Sequence, residues 1–520
     1  MLSQSLQRVR KPALTSRPAI SALAALTILA AAIRLYRIGH QGLWFDEAYT
    51  VMLVKLPFAK MLSTVPKTES TPYLYYVIAW VWTHIFGRGA ADLRALSALF
   101  GTAVVPVAYV ATGRLTGNTR AAWIVAALAT FNPLLIWYSQ EARAYELLVL
   151  TSACTLVAFA YARERPTRGR LTAWAVASGL ALASHYDAAL VVVPEAIWLL
   201  IQYRRVLGVW LSVWFVAACG GALLPLLISQ DNRHNASWIT KAPLNDRLGQ
   251  ILPQFFLGTG SHAYVPLMWV AFALGLAGLV LLAMRASSTE RTPALGLAAI
   301  AVGGFALVMI VVAAGSDTVL SRNLLGLWLP AVMVVACGLG AVRARRFGIA
   351  VAAAICALGL VATVSVATDG VLQRPDWPAV ARALGPWTRA GQPADAARLL
   401  VFQRNVWLES LTQVYMTHTD RLRRGKPHNV TEIDVIADSS PPGSNKHWLC
   451  WWGAGCNLYP SRLQASYSIP GFHSVSVTRV KQFTILRLVS DRPRRVYQYQ
   501  IKRAMHRAGT PLYGLLIQRS

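Results

Sequence analysis

The chain has 520 residues, of which 55% are hydrophobic and only 14% charged, and its mean hydropathy is +0.44. Soluble domains carry roughly 25% charged residues, so the composition excludes an ordinary water-soluble protein and points to a polytopic membrane protein. The net charge of +28 would suggest nucleic acid in a soluble chain. In a membrane protein it fits cytoplasmic loops, anionic headgroups and phosphates instead, so no nucleic-acid partner is expected.

The N-terminus is basic (Arg8, Arg10, Lys11, Arg17), and an apolar segment follows, Ala19–Tyr36. A cleavable signal peptide has a similar pattern. A signal anchor is the better reading, because cleavage after Ala30-Ala31-Ala32 would leave no span ahead of the next motif. Residues 1–18 are then cytoplasmic. Directly after this segment comes Gly42-Leu43-Trp44-Phe45-Asp46-Glu47-Ala48-Tyr49-Thr50. Two adjacent carboxylates are costly beside a bilayer, and such charges are functional-site candidates by default.

Tyr73–Phe86 is apolar and aromatic but confined between Pro72 and Gly87. It is short for a crossing and reads as a helix in the interface, with Trp80, Trp82 and tyrosines at headgroup level. Further spans are expected at Ala95–Thr112, Ala121–Tyr138, Tyr145–Tyr161, Leu171–Ser184, Ala188–Ile201, Val209–Ser229, Tyr264–Met284, Ala294–Gly315, Leu324–Val342 and Phe347–Thr368. With the first segment this makes about eleven helices in a transmembrane bundle, residues 19–368.

Parity supports the interfacial reading. If Tyr73–Phe86 does not cross, the loops Gly113–Arg120, Ala162–Arg170, Gln202–Leu207, Arg285–Pro293 and Arg343–Arg346 are cytoplasmic, and all carry arginine. A crossing would place them outside, against the positive-inside rule. The outer face then holds the first loop (37–94), the turns Ser139–Ala144 and His185–Asp187, the loop Gln230–His262 and the turn Ser316–Asn323.

The chain after Thr368 also falls outside. Residues 369–520 are polar and long enough for a small extracytoplasmic, periplasmic domain. Strands are expected at Leu399–Phe402, Val430–Ala437 and Gln482–Val489, and a helix at Trp377–Leu384, giving a small α/β domain. Among six cysteines, Cys154, Cys219, Cys337 and Cys356 lie in apolar segments and read as core residues. Cys450 and Cys456 flank a Trp-rich loop and are a disulfide candidate in an oxidising compartment. No internal repeat appears, and no His/Asp/Glu cluster has metal-ligand spacing. Neither a metal nor another cofactor is expected.

Polar residues thus gather on one face: Asp46, Glu47, Glu141, Arg143, His185 and Arg322, on four separate loops. A sugar linked to a lipid phosphate suits this set. The phosphate leaves as an anion and needs cationic donors, which arginine supplies as a planar fork. The acceptor hydroxyl needs a base, which a carboxylate can provide. A glycosidase needs two carboxylates flanking the bond, whereas adjacent Asp46 and Glu47 project in different directions on a helix or a strand. Plainer readings compete: Arg143 paired with Glu141 or Glu146, Arg322 snorkelling to headgroups, His185 as an interfacial histidine, and Tyr73 and Tyr145 as aromatic-belt residues. The sequon Asn235-Ala236-Ser237 is given no role.

Trp44-Phe45-Asp46-Glu47-Ala48 after the first span resembles the first-loop Asp-Glu motif of the C-type (GT-C) membrane glycosyltransferases, which include the protein O-mannosyltransferases and lipid A aminoarabinose transferases. Ser70-Thr71-Pro72-Tyr73-Leu74-Tyr75-Tyr76 resembles that superfamily's Pro-Pro-Leu-Tyr-Tyr segment. Ser139-Gln140-Glu141-Ala142-Arg143-Ala144-Tyr145 resembles its Ser-Gln-Glu-Ala-Arg-x-Tyr turn. Ser321-Arg322-Asn323-Leu324 resembles its Arg-Tyr-Leu motif. Thr71 in place of a proline and Asn323 in place of the tyrosine are departures that alter the pocket.

The resemblance implies an inverting transferase using a polyprenyl-phosphate sugar at the outer face of the membrane, with a lipid, glycan or protein acceptor. It implies a general base at Asp46 and support from Glu47. Arg143 and Arg322 would contact the lipid phosphate, and Glu141, Tyr145, His185 and Tyr73 are further substrate-binding candidates. The location implied is a bacterial inner membrane. The competing class is a transporter or flippase for a lipid-linked sugar. Transporters more often show repeats and broken helices, which are not evident in the sequence.

Overall fold

The computed structural model describes residues 17–259, 265–369, 372–374, 376–387, 396–403, 414–416, 418–422, 425–438, 467–480, 483–508 and 512–519. The disulfide expected between Cys450 and Cys456 lies outside the described residues. The described chain forms two compact units: residues 17–39 with 53–366, and residues 40–52 with the chain from 367 onward.

The first unit is helical. Its elements are α1 (Arg17–Leu35), the end of α2 (Phe45–Lys55), α3 (Phe58–Thr68), α4 (Leu74–Phe86), α5 (Ala90–Thr116), α6 (Thr119–Phe131), α7 (Pro133–Ser139), α8 (Tyr145–Glu164) and α9 (Arg168–Ser184). Then come α10 (Ala189–Gln202), α11 (Leu207–Asp231), α12 (Leu244–Leu257), α13 (Val265–Met284), α14 (Ser288–Ala313), α15 (Leu325–Leu339) and α16 (Arg345–Thr368).

Among the described residues, α1, α5, α8, α11, α13, α14 and α16 are the seven helices long and apolar enough to cross a membrane. The protein is an integral membrane protein. Every apolar segment expected to span falls on a helix or helix pair, but α9, α10 and α15 are shorter than that criterion. The segment expected as one span at Ala121–Tyr138 is the pair α6 and α7, bent by 55°. The bend has a local cause. Asn132 sits in extended backbone ahead of Pro133, as pre-proline residues prefer. Its side chain accepts from the Leu134 and Leu135 N–H groups at 3.1 and 3.0 Å, so it caps a new helix rather than continuing the old one. Helix α4 has 13 residues, about 20 Å at 1.5 Å per residue, too short for a hydrocarbon core of about 30 Å.

The second unit is built on a six-stranded sheet. Its strands are β1 (Ala397–Gln403), β2 (Thr419–Arg421), β3 (His428–Asp438), β4 (His473–Val480), β5 (Phe483–Val496) and β6 (Leu512–Gln518), in the order β2-β6-β1-β3-β5-β4. The β1–β3 pair is parallel and the other pairs are antiparallel. Both faces are covered. Leu399, Val401, Ile433 and Val435 pack with Ile501 and Met505 of α18 (Gln498–Arg507). Leu400, Phe402 and Ile436 pack with Trp377, Val380 and Leu384 of α17 (Trp377–Leu384). Two buried faces explain the unbroken apolar run Leu399–Phe402. The expected strands and helix are present; β2, β4, β6 and α18 are additional.

Residues 40–52 pack within this second unit. The Leu43 N–H donates to the Tyr415 hydroxyl at 2.8 Å, and the Arg374 N–H to Gln41 Oε1 at 2.9 Å.

Candidate functional site

In the second unit, Asp46 and Glu47 occupy the first turn of α2, where carboxylates are favoured by the helix dipole. Their environments differ. Glu47 is fully buried and its Oε2 accepts from the Trp44 N–H at 3.2 Å, closing the start of its own helix. Asp46 is half-buried, and its carbonyl accepts from Thr50 Oγ1.

In the first unit, a second carboxylate organises the site. Glu69 follows the end of α3 and is buried. Its Oε2 accepts from Arg143 Nη1 at 2.7 Å and from the Tyr76 hydroxyl at 2.6 Å. Thr71 Oγ1 lies 3.1 Å from the same hydroxyl, and the Arg143 guanidinium sits 5.8 Å from the centre of the Tyr76 ring. Burial pushes the Tyr76 phenol well above its usual range, so it stays a donor. Arg143 therefore pairs with Glu69 from a distant segment. Glu141 is buried in the same turn, and its carbonyl accepts from the Arg143 N–H at 2.8 Å.

The turn 139–145 is braced from below. Gln140 Nε2 donates to the carbonyls of Arg34 and Tyr36, each at 2.9 Å. Arg34, fully buried at the end of α1, donates to Ser139 Oγ at 3.1 Å and to the Ala129 carbonyl at 2.8 Å. Arg34 thus faces the bundle.

Tyr145 opens α8 and is buried. Its ring centre is 4.8 Å from that of Tyr138 and 5.9 Å from that of His185. The Arg322 guanidinium lies 5.5 Å from the Tyr145 ring and 5.2 Å from the Trp238 ring, so two aromatic faces flank it. His185 caps a short 3-10 turn: its Nδ1 accepts from the Asp187 N–H at 3.3 Å and lies 3.2 Å from Asp187 Oδ2.

Tyr73 is half-buried at the N-cap of α4, and burial raises its phenol. Nearby Tyr186 donates to Gln230 Oε1 at 2.9 Å, and Gln230 Nε2 donates to the Thr71 carbonyl at 3.0 Å. Asn235 Nδ2 donates to the Glu69 carbonyl at 2.8 Å.

The first unit therefore brings Arg143 and Glu141 into one turn with Tyr145, and sets Arg322 and His185 against that tyrosine. Sequence reasoning missed Glu69, Trp238, Gln230 and Asn235. Glu69 had one available signal, as the carboxylate immediately preceding the Ser70–Tyr76 motif. Asp46 and Glu47 belong to the other unit.

Residues 70–228 match the family described as dolichyl-phosphate-mannose-protein mannosyltransferase. No curated protein sequence matches the chain. Among solved structures, apo ArnT from Cupriavidus metallidurans is 19% identical, with 71% of this chain and 70% of that chain covered and a TM-score of 0.46. ArnT from the same organism bound to undecaprenyl phosphate is 15% identical, with 90% and 98% covered and a TM-score of 0.49. The archaeal oligosaccharyltransferase AglB from Archaeoglobus fulgidus, with an inhibitory peptide and a dolichol-phosphate, is 15% identical, with 73% and 59% covered and a TM-score of 0.43. The chain resembles the C-type membrane glycosyltransferases in its four motifs and, over residues 70–228, in this family match.

Proposed function

We propose that this chain, similar to the C-type membrane glycosyltransferases, is an inverting glycosyltransferase. It moves a monosaccharide from a polyprenyl-phosphate donor to a hydroxyl of a lipid, glycan or protein acceptor, at the outer face of a bacterial inner membrane. The acceptor oxygen attacks the anomeric carbon while Asp46 takes its proton. The bond from that carbon to the phosphate oxygen breaks, and the lipid phosphate departs as an anion toward Arg143 and Arg322. Glu47 supports the start of α2. One base and no general acid suffice, because phosphate leaves without protonation.

The observation that carries this reading is the convergence of Arg143 and Arg322 on the turn 140–145. Arg143 belongs to the turn, and Arg322 is set against its last ring, Tyr145. The family match to dolichyl-phosphate-dependent mannosyltransferases supports a lipid-phosphate donor.

The test is Asp46→Asn in membranes supplied with labelled polyprenyl-phosphate sugars. Transfer should fall by about 10²-fold or more, and undiminished transfer would sink the assignment. A flippase would move the labelled lipid without forming a glycosylated product.

A further inference from the structure

Arg322 reaches Trp238 across two segments far apart in sequence, and one residue ties those segments together. Arg247, in the first turn of α12, is buried. Its Nε donates to the Ala242 carbonyl at 3.0 Å, at the end of the turn that begins at Trp238. Its Nη1 donates to Asp317 Oδ1 at 2.7 Å and to the Val319 carbonyl at 3.0 Å, while Nη2 donates to Asp317 Oδ2. This is a fork-on-fork pair, the geometry in which arginine fixes orientation as well as charge.

The segment it grips leads directly into Arg322. The Val319 N–H donates to Asp317 Oδ1 at 3.2 Å, and Asn323 Nδ2 donates to the Thr318 carbonyl at 2.7 Å, so the turn is closed on itself. The Arg247 hydrogen bond holds Asp317 below the usual carboxylate range, so the pair stays ionised at neutral pH.

We infer that Arg247 and Asp317 are positioning residues that set Arg322 against Trp238 and so fix where the leaving phosphate of the lipid donor is received. The inference rests on the proposed function for the role of Arg322, but the clamp itself is a claim about two segments. Neither Arg247 nor Asp317 is assigned contact with substrate. Loosening the clamp should weaken donor binding more than it slows the bond-breaking step.

The experiment uses the full-length protein in lipid nanodiscs, with Arg247→Gln, Asp317→Asn, the double variant, and Asp231→Asn as an exposed control. Each single variant should raise the KM for the polyprenyl-phosphate sugar by about tenfold, with kcat within about threefold of the unaltered protein. The double variant should be no worse than the more damaging single, because both remove one clamp. Hydrogen exchange should rise in both 238–242 and 317–324. Unchanged KM, additive losses, or unchanged exchange in either segment would overturn the inference. If the unaltered protein transfers no sugar, the proposed function has failed. The exchange arm then decides the clamp alone: faster exchange in both segments sustains it, and unchanged exchange in either rejects it.

Discussion

At the scale of single residues, the carboxylate that organises the first unit is one that sequence patterns pass over. Glu69 precedes an aromatic helix and reads as an ordinary polar residue at an interface. Its meaning comes from Arg143, 74 positions away in sequence, and from Tyr76. Breaking a buried ion pair by removing one partner costs about 3–5 kcal/mol, since the other charge is stranded. Glu69→Ala should therefore lower the unfolding temperature measurably. Glu69→Gln keeps an acceptor for Tyr76 but loses the charge. It should lose less stability than Glu69→Ala, because the amide oxygen still accepts from Tyr76, while lowering kcat/KM for the donor by about 10–100-fold, the value of a charge-assisted hydrogen bond. Thermal unfolding and steady-state kinetics on the same preparations separate the two. Unaltered kcat/KM in Glu69→Gln would show that Glu69 does not act through its charge on Arg143.

At the scale of elements, hydropathy located nearly every helix, because apolar runs are what lipid demands. It could not see how helices meet. The Asn132-Pro133 pair between α6 and α7 is a readable break, hidden inside a run whose mean hydropathy passes for one span. The junction of α1, α5, α7 and α8 was not readable at all. Arg34, Ser139 and Glu146 are all fully buried there, and they meet against Gly101 of α5. A Cβ at Gly101 would come 2.7 Å from Glu146 Oε2 and 3.1 Å from Arg34 Nε, and would overlap Ser139 Oγ. Two effects therefore oppose each other in Gly101→Ala. Helix propensity favours alanine by about 1 kcal/mol, while overpacking a fixed polar cluster costs about 1–3 kcal/mol. The second should win, and the unfolding temperature should drop. Adding Ser139→Ala makes room for the new methyl and should recover part of the loss. If Gly101→Ala is as stable as the unaltered protein, the junction is looser than the contacts imply.

At the scale of the whole molecule, the tail was legible as a sheet domain from its alternating and unbroken apolar runs, yet its buried charges were not. Nothing in the sequence pairs Arg398 on β1 with Asp434 on β3 and Arg487 on β5. Arg398 is buried and donates to the Leu384 and Gly385 carbonyls at the end of α17, and to Gln518 Oε1. Arg487 Nε donates to Asp434 Oδ1 at 2.9 Å. Burial, with Glu432 alongside, pushes the Asp434 carboxyl up to about 7 despite Arg487. A carboxyl whose folded value lies above its unfolded value of about 3.9 binds more protons folded than unfolded. Its contribution to stability is therefore greatest below the unfolded value, declines as pH rises toward about 7, and is level above that. The net charge of +28 acts in the opposite direction, since acid adds positive charge and self-repulsion. The raw pH profile of the unaltered protein mixes both effects, whereas the difference between Asp434→Asn and the unaltered protein isolates the first. That difference in unfolding temperature should shift in favour of Asp434→Asn as pH rises from 4 to 7 and stay constant from 7 to 9. A difference that moves the other way would mean that the arginines, not burial, control this carboxyl.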